Sequence, residues 1–238
     1  MSKTTEISVA SYNIHKGVGT DRRFDIRRIT AVIAEIGADI IALQEVDRRF
    51  GDRAGLLELE ALRAHLELVH EPVPGGGASH GWHGNLLLTR GGEVEEVHHM
   101  TLPGLEPRGA VITDLAIKGR RLRVVAAHFG LLPSSRRLQA RTILTHLAGL
   151  KPKPTLMMGD LNEWRIGAGA SLAALTGHFA SAPTVRSFPS RFPMMALDRI
   201  MAGHGGEIHG MEVHDTPLAR RASDHLPVKA RLRLGTKG

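Results

Sequence analysis

Apolar and polar positions along this chain recur with two different periods. Residues 6–14 (EISVASYNI) read as a strand, with Ile7, Val9 and Ser11 on one face and Ser8, Ala10 and Tyr12 on the other. Residues 24–37 switch to a helical period: Ile26, Ile29, Val32, Ile33 and Ile36 form one stripe, and Gly37 is a natural stop just past it. Residues 39–44 (DIIALQ) are a short apolar run suited to a buried strand, 56–66 read as helix and 68–73 as extended. Four strand-like pieces follow, at 84–90, 93–100, 109–118 and 121–128. A second good helix begins near Ser134, with Ser134 and Ser135 as N-cap residues and Leu138, Ile143, Leu144 and Leu147 as its apolar side. Strands at 155–159, 195–202, 207–214 and 226–234 complete the pattern. Strands this numerous and short, with helices inserted irregularly, predict an α/β fold of two packed sheets flanked by helices, not a doubly wound parallel sheet.

No internal repeat, low-complexity segment or long linker divides the 238 residues, so a single domain over 1–238 is expected. The Gly-rich stretch 72–84 reads as a surface loop: a mobile lid, a substrate wall or a plain disordered hairpin tip. With 42% hydrophobic and 23% charged residues the chain is ordinary globular material, which argues against a disordered or fibrous protein. No apolar run approaches a bilayer span, and the first residues lead into a strand with no signal-peptide pattern, so a cytoplasmic protein is expected. The absence of cysteine excludes a disulfide scaffold, a zinc ribbon and a thiol nucleophile together. Lys and Arg number 31 against 24 Asp and Glu, a formal charge of +7, which suggests an anionic partner: nucleic acid, phospholipid or a phosphorylated small molecule. One Tyr and two Trp weigh against a single-strand binder built on base stacking.

The placement of polar residues carries more than the totals do. Asn13 follows SVASY, Glu45 follows IIALQ, His128 follows VVAA, and Asp160 and Asn162 bracket the end of TLMMG; Asp198 follows MMAL, and Asp224 and His225 stand just before LPV. A polar side chain at the end of a buried strand is costly unless it is paired or functional. Six such placements at the same kind of position form one rim if those strand ends face the same way. Oxygen donors without cysteine suit a hard cation such as Mg²⁺ or Mn²⁺. Two histidines beside carboxylates suit proton transfer or stabilisation of an anionic transition state. Together they point to metal-assisted hydrolysis of a phosphate ester. A His-rich zinc site competes, with only His80 and His83 as a loose match to its spacing.

The motifs SYNIH, ALQEVD, AAHFGL, MMGDLNEW, LDRI and SDHLPV, in this order from about residue 7 to 233, resemble the endonuclease/exonuclease/phosphatase superfamily with the DNase-I-like fold. The run HFGLLPSSRRLQA is similar to the HLGL pattern of its bacterial hydrolases. The resemblance implies a four-layered α/β sandwich, two central and mostly antiparallel sheets with helices outside, and an active site on the strand-end rim. It also implies roles. Glu45 is the principal metal-binding carboxylate, with Asn13 beside it and Asp224 as a further metal or phosphate-site carboxylate. Asp160 and Asn162 activate and orient the attacking water. His225 contacts the scissile phosphate, Asp198 orients that His, and His128 is a second phosphate-contacting His. The Tyr-rich motif of abasic-site endonucleases is missing, since Tyr12 in the first strand is the only Tyr.

Three further residues are candidate phosphate or substrate contacts: Arg108 at a strand start near the rim, His15 in SYNIH, and Arg136, which with Gln139 shares a helix face. Arg48, Arg49 and Arg53 either edge the site with positive charge or form a solvated loop. The reading is a Mg²⁺- or Mn²⁺-dependent phosphoesterase, a phosphodiesterase in preference to a monoesterase. Its substrate is a small or lipid-linked phosphodiester, favoured by HFGLLP with Arg136 and Gln139, or DNA or RNA, favoured by the charge. A non-catalytic phosphate-binding protein on the same fold is the third reading. Nucleic acid and an anionic membrane surface are the candidate macromolecular partners; nothing points to a protein partner.

Overall fold

A computed structural model describes residues 5–48, 52–70, 77–165, 169–180 and 183–235. Arg49, the 72–76 part of the Gly-rich segment and the first four residues lie outside them. The strands are β1 (Thr5–Asn13), β2 (Ile40–Gln44), β3 (Leu68–His70), β4 (Leu86–Arg90), β5 (Gly92–Leu102), β6 (Arg108–Ile117), β7 (Arg120–His128), β8 (Thr155–Asp160), β9 (Asp198–Ala202), β10 (Gly206–Val213) and β11 (Val228–Leu234). They form a six-stranded sheet, β10-β11-β1-β2-β4-β3, and a five-stranded sheet, β5-β6-β7-β8-β9. Each sheet contains one parallel pair, β1 with β2 and β7 with β8, and every other pairing is antiparallel. Parallel neighbours need a crossover. Helices α1 (Ile26–Ile36) and α3 (Pro133–Ala148) supply the two crossovers; α2 (Leu59–Leu66) and α4 (Pro217–Ala222) lie elsewhere in the chain.

Alternation within the strands separates three apolar clusters. Ile7, Val9, Ile40, Ala42 and Val228 of the first sheet face Leu122, Val124, Ala126, Leu156, Met158 and Ile200 of the second. The opposite face of the first sheet (Ala10, Tyr12, Ile41, Leu43) packs on Ile29, Val32, Ile33 and Ile36 of α1. The opposite face of the second (Ala110, Ile112, Val125, Ala127, Met157) packs on Ala140, Ile143 and Leu147 of α3. Four layers result: helix, sheet, sheet, helix. Fully burying one such Leu or Ile stabilises by about 1.5–3 kcal/mol, so these clusters rather than helix propensity fix the layering. Among the described residues no helix is long and apolar enough to cross a membrane.

α1 meets the expectation closely. Asp25 accepts from the backbone N–H groups of Arg27 and Arg28, and Gly37 takes the left-handed conformation (φ 60°) that ends the helix. α3 departs from it. Its N-cap is Leu132 with Pro133 in the first turn, and Ser135 is buried; Leu138 is exposed, and the buried stripe runs Arg136, Gln139, Ala140, Ile143, Leu147. The physical reason is local. The loop after β7 passes beneath this helix, and its buried backbone groups need side-chain partners. α2 starts at Leu59 instead of residue 56, because the N–H groups of Leu56 and Leu57 bond to Val46 O and His80 Nδ1. β9 starts at Asp198, not residue 195, since Met195 pairs with Phe188.

Candidate active site

The inner-face alternation that builds the central core continues past it into polar side chains at one end of the sandwich. On β1 it runs Ile7, Val9, Ser11, Asn13; on β7 Leu122, Val124, Ala126, His128; on β8 Leu156, Met158, Asp160; and backwards along β9 Ala202, Ile200, Asp198. Register places His128 beside Asp160 and Asp160 beside Asp198. The parallel pairs deliver their C-terminal ends to the same edge, which is why residues far apart in sequence converge. They converge on a cavity of about 460 Å³.

Asp160 is the hub. Its Oδ2 accepts from Asn13 Nδ2 at 3.0 Å and its Oδ1 from the Asn162 backbone N–H at 3.0 Å. The Nε2 atoms of His128 and His225 stand 3.5 and 3.7 Å from Oδ2. The two imidazoles differ in charge. Burial alone would discharge His225, but the carboxylates of Asp198, Asp160 and Asp224 outweigh it and push the ring up to about 10. Its Nδ1 pairs with Asp198 Oδ2 at 2.9 Å, and Ser187 Oγ donates to the same oxygen. His128 is driven the other way: burial, reinforced by Arg108, takes it down to about 3 against the pull of Asp160. Arg108 Nη1 donates to its Nδ1 at 3.0 Å, which leaves Nε2–H directed at the carboxylate. One carboxylate thus sits between a neutral ring and a charged one.

Glu45 lies just past β2 with Lys16 Nζ donating to its Oε2. Burial would raise its pKa, yet Lys16, with His15 and Arg108 beyond it, holds it below the usual range. His15 donates from Nδ1 to Val18 O at 2.9 Å, and that nitrogen is 3.7 Å from Asp224 Oδ1. Asn13 Oδ1 accepts the His15 N–H at 3.0 Å, so Asn13 brackets Asp160 to this turn. Asn162 donates to Phe129 O at 3.0 Å. The backbone is unusual here. Nine non-glycine residues among those described have positive φ, and six of them, His15, Lys16, Glu45, Arg53, His83 and Asn162, line this one cavity. Such conformations cost about 1–3 kcal/mol each and gather where function requires them.

Glu45, Asp224 and the remaining lone pair on the Asn13 oxygen are a donor set of hard oxygens without sulfur, which fits a divalent cation. Glu45 already carries one cation, the Lys16 ammonium, on its Oε2. Asp160, Asp198 and His225 also lie within 4.8 Å of one another. Their bonding is a chain, Asp198 to Nδ1 and Asp160 near Nε2 of the same ring, which is a proton-holding arrangement more than a ligand shell.

Of the residues expected at the site, Asn13, His15, Glu45, Arg108, His128, Asp160, Asn162, Asp224 and His225 line the cavity, and Asp198 stands buried behind His225. Arg136 does not reach it. This Arg is buried and donates to Ser171 Oγ (2.7 Å), Leu131 O (2.5 Å) and Glu163 Oε2 (3.4 Å). Gln139 accepts from the Gly130 N–H at 2.8 Å and donates to Pro103 O at 3.0 Å. Both hold the 130–131 turn under α3, which corrects the expectation that Arg136 contacts phosphate. The described end of the Gly-rich segment is a fixed wall. Asp47 accepts from Ser79 Oγ and from the His80 and Gly81 N–H groups. Gly109 permits the rest: a Cβ there would stand 2.9 Å from His83 Cβ and from Trp82 Cδ1. Lys16, Asp47 and Glu106 also line the cavity and were not singled out from sequence. Lys16 directly follows SYNIH and Asp47 ends ALQEVD, so proximity to those motifs was the available signal.

Residues 10–225 match the Endonuclease/Exonuclease/phosphatase family, and the chain belongs to that family. The uncharacterized protein YbhP of Escherichia coli K12 is 28% identical over 252 residues, covering 95% of this chain and 96% of YbhP. An endonuclease/exonuclease/phosphatase structure from Beutenbergia cavernae superposes with a TM-score of 0.72 at 23% identity, over 97% of this chain and 72% of that one. D. rerio TDP2 complexed with a single-strand DNA product gives 0.69 at 14% identity, over 96% and 99%. The family name covers hydrolysis of phosphoester bonds in nucleic acids and in other phosphates, and the DNase-I-like sandwich is shared.

Proposed function

We propose that this protein is a divalent-metal-dependent hydrolase that cleaves a phosphodiester by in-line attack of water. The observation that carries the reading is Asp160, held between neutral His128 and charged His225 at the cavity floor. Asp160 and Asn162 orient the attacking water, and Asp160 takes its proton. Asp198 keeps a proton on His225 Nδ1, so Nε2–H donates to a phosphate oxygen as negative charge develops there. Arg108, oriented by His128, adds a guanidinium fork toward the same phosphate. Mg²⁺ or Mn²⁺ held by Glu45, Asp224 and Asn13 would neutralise charge on the phosphate.

The substrate choice leans to nucleic acid. Lys16, Arg48, Arg53 and Arg108 line the cavity, and the similar fold of D. rerio TDP2 has been seen with a single-strand DNA product. The lipid or small-diester reading drew on Arg136 and Gln139, which hold a turn instead. The test is a parallel assay with Mg²⁺ and Mn²⁺ on supercoiled DNA, bis-p-nitrophenyl phosphate, sphingomyelin and an inositol phosphate. Cleavage of DNA and bis-p-nitrophenyl phosphate is expected, abolished by EDTA and by Asp160→Ala or His225→Ala, with DNA cleavage falling steeply in salt. Turnover of none of them with either metal would overturn the reading in favour of a non-catalytic phosphate-binding protein.

A further inference from the structure

Several arginines in this molecule are neutralised by a carboxylate. Arg28, Arg123 and Arg220 each pair with a carboxylate, Asp21, Asp114 and Asp215. Arg53 on the cavity wall bonds to an imidazole: its Nη1 donates to His83 Nδ1 at 3.1 Å. Among the described residues it has no carboxylate partner. His83 is held neutral, because burial and the neighbouring Arg53 both push its pKa down. A neutral ring with Nδ1 accepting must carry its proton on Nε2, and that nitrogen lies 3.2 Å from Thr101 Oγ1. A carboxylate would cancel the guanidinium charge. A neutral acceptor orients the fork and leaves the charge whole for an anion.

The position is fixed as well as charged. Arg53 (φ 52°) and His83 (φ 50°) both hold the left-handed backbone that Glu45 and Asn162 adopt in the same cavity. His83 rests against Gly109, the residue after Arg108, and Asn85 Nδ2 bonds to Gly109 O at 3.0 Å. The Arg53–His83 pair therefore repeats the Arg108–His128 pair on the lining of the same cavity. The first pair serves the phosphate under attack. We propose that Arg53, oriented by His83, binds a second phosphate of the substrate, so that the enzyme takes polyphosphorylated diesters such as oligonucleotides in preference to a lone diester. A choline-type headgroup would bring a cation against Arg53 and is disfavoured. This proposal rests on the phosphodiesterase reading for what the first phosphate does.

The experiment is calorimetric titration of the full chain with thymidine 3′,5′-bisphosphate and with thymidine 5′-monophosphate, run beside the bis-p-nitrophenyl phosphate assay. The wild type is expected to prefer the bisphosphate by at least about tenfold, the scale of one charge-assisted bidentate contact. Arg53→Gln should bring that ratio to about one, and Arg53→Lys, which keeps the charge but loses the fork, should fall between. Thermal melts confirm that each variant is folded; if Arg53→Gln does not fold, the Lys variant decides. A wild-type ratio near one, or a folded variant keeping the full wild-type ratio, overturns the second subsite. A preserved preference without any hydrolysis would instead remove the phosphodiesterase reading while leaving the subsite standing.

Discussion

The two ends of the second sheet bury charge in opposite ways. At the end away from the cavity, Asp114 takes a two-point contact from Arg123 (2.7 and 2.8 Å) and a third from Lys153 (2.8 Å). Asp39, nearby on the first sheet, takes Lys118 (2.6 Å) and both donors of Ser8 (2.7 and 2.6 Å). Each carboxylate there faces at least one full cation, with Arg123 and Lys153 on Asp114 and Lys118 on Asp39. At the cavity end Asp160 faces an amide, a backbone N–H and two rings of unlike charge, while Arg53 and Arg108 each have an imidazole beside them. Burial is common to both ends. What distinguishes the candidate active site is that Asp160, its central carboxylate, has no Lys or Arg partner among the described residues, together with a concentration of left-handed backbone.

That contrast makes a paired experiment the most informative one. Asp160→Asn should lower kcat on bis-p-nitrophenyl phosphate by at least about 10³-fold, since it removes the proposed base and the partner of both rings. It should leave stability to urea unchanged or raised, because mismatched charge at a site opposes folding. Asp114→Asn should do the reverse. It strands Arg123 and Lys153 against a neutral amide and should cost about 3–5 kcal/mol, with kcat per folded molecule unaltered. If Asp160→Asn proves as destabilising as Asp114→Asn, the distinction between the two ends fails.

Asp198→Asn probes the cavity end one layer further back. Asp198 touches no open space but fixes the proton on His225 Nδ1. A carboxamide can present its NH₂ to that nitrogen and so stabilise the wrong tautomer. A kcat loss of about 10²–10⁴ with KM little changed is expected, by analogy with the carboxylate of a Ser-His-Asp triad. An equal loss through KM would mean that Asp198 only supports the wall. Steady-state kinetics on the same diester separates the two.

The sequence made much of this end legible, and for a definable reason. A polar residue closing an otherwise apolar inner face announces itself by alternation, as in Val9, Ser11, Asn13 or Val124, Ala126, His128. The resemblance then supplied roles that alternation could not. Positions governed by loop geometry were less readable. Arg136 and Gln139 share the buried stripe of α3 because a turn from a different segment lies beneath it, and no local period reports that. Arg53 and His83 are 30 residues apart, and their contact depends on Asp47 pinning the 79–81 turn and on the missing Cβ of Gly109. The far-end ion pairs were likewise invisible, since Asp114 and Arg123 sit on β6 and β7 and Lys153 in the loop before β8.

Acid should reveal the far end through linkage. The contacts from Arg123 and Lys153 outweigh burial and hold Asp114 below the ordinary carboxylate range. A folded-state pKa below the unfolded value of about 3.9 means stabilisation that is complete above that value and lost as pH falls through the folded one. In urea titrations the gap between wild type and Asp114→Asn should therefore narrow as pH is lowered below about 4. A gap independent of pH would show that packing of the side chain, not its charge, sets the cost.

The smallest effect is expected at the far-end pair that most resembles a surface contact. Lys118 is 45% exposed and reaches Asp39, whose side chain is 15% exposed. Removing the ammonium leaves Asp39 with the Ser8 N–H and hydroxyl, and with water on its open side. Lys118→Ala should therefore cost no more than about 1 kcal/mol and lose most of that in high salt, where exposed pairs are screened. Asp39→Ala should cost more, because it also leaves the Ser8 N–H and Oγ at the strand edge without their acceptor. Urea melts of the two variants at low and high salt test this ordering. Were Lys118→Ala the costlier of the two, the far end would be held by its ion pairs alone, and the filling of acceptor sites by Ser8 would add nothing to its stability.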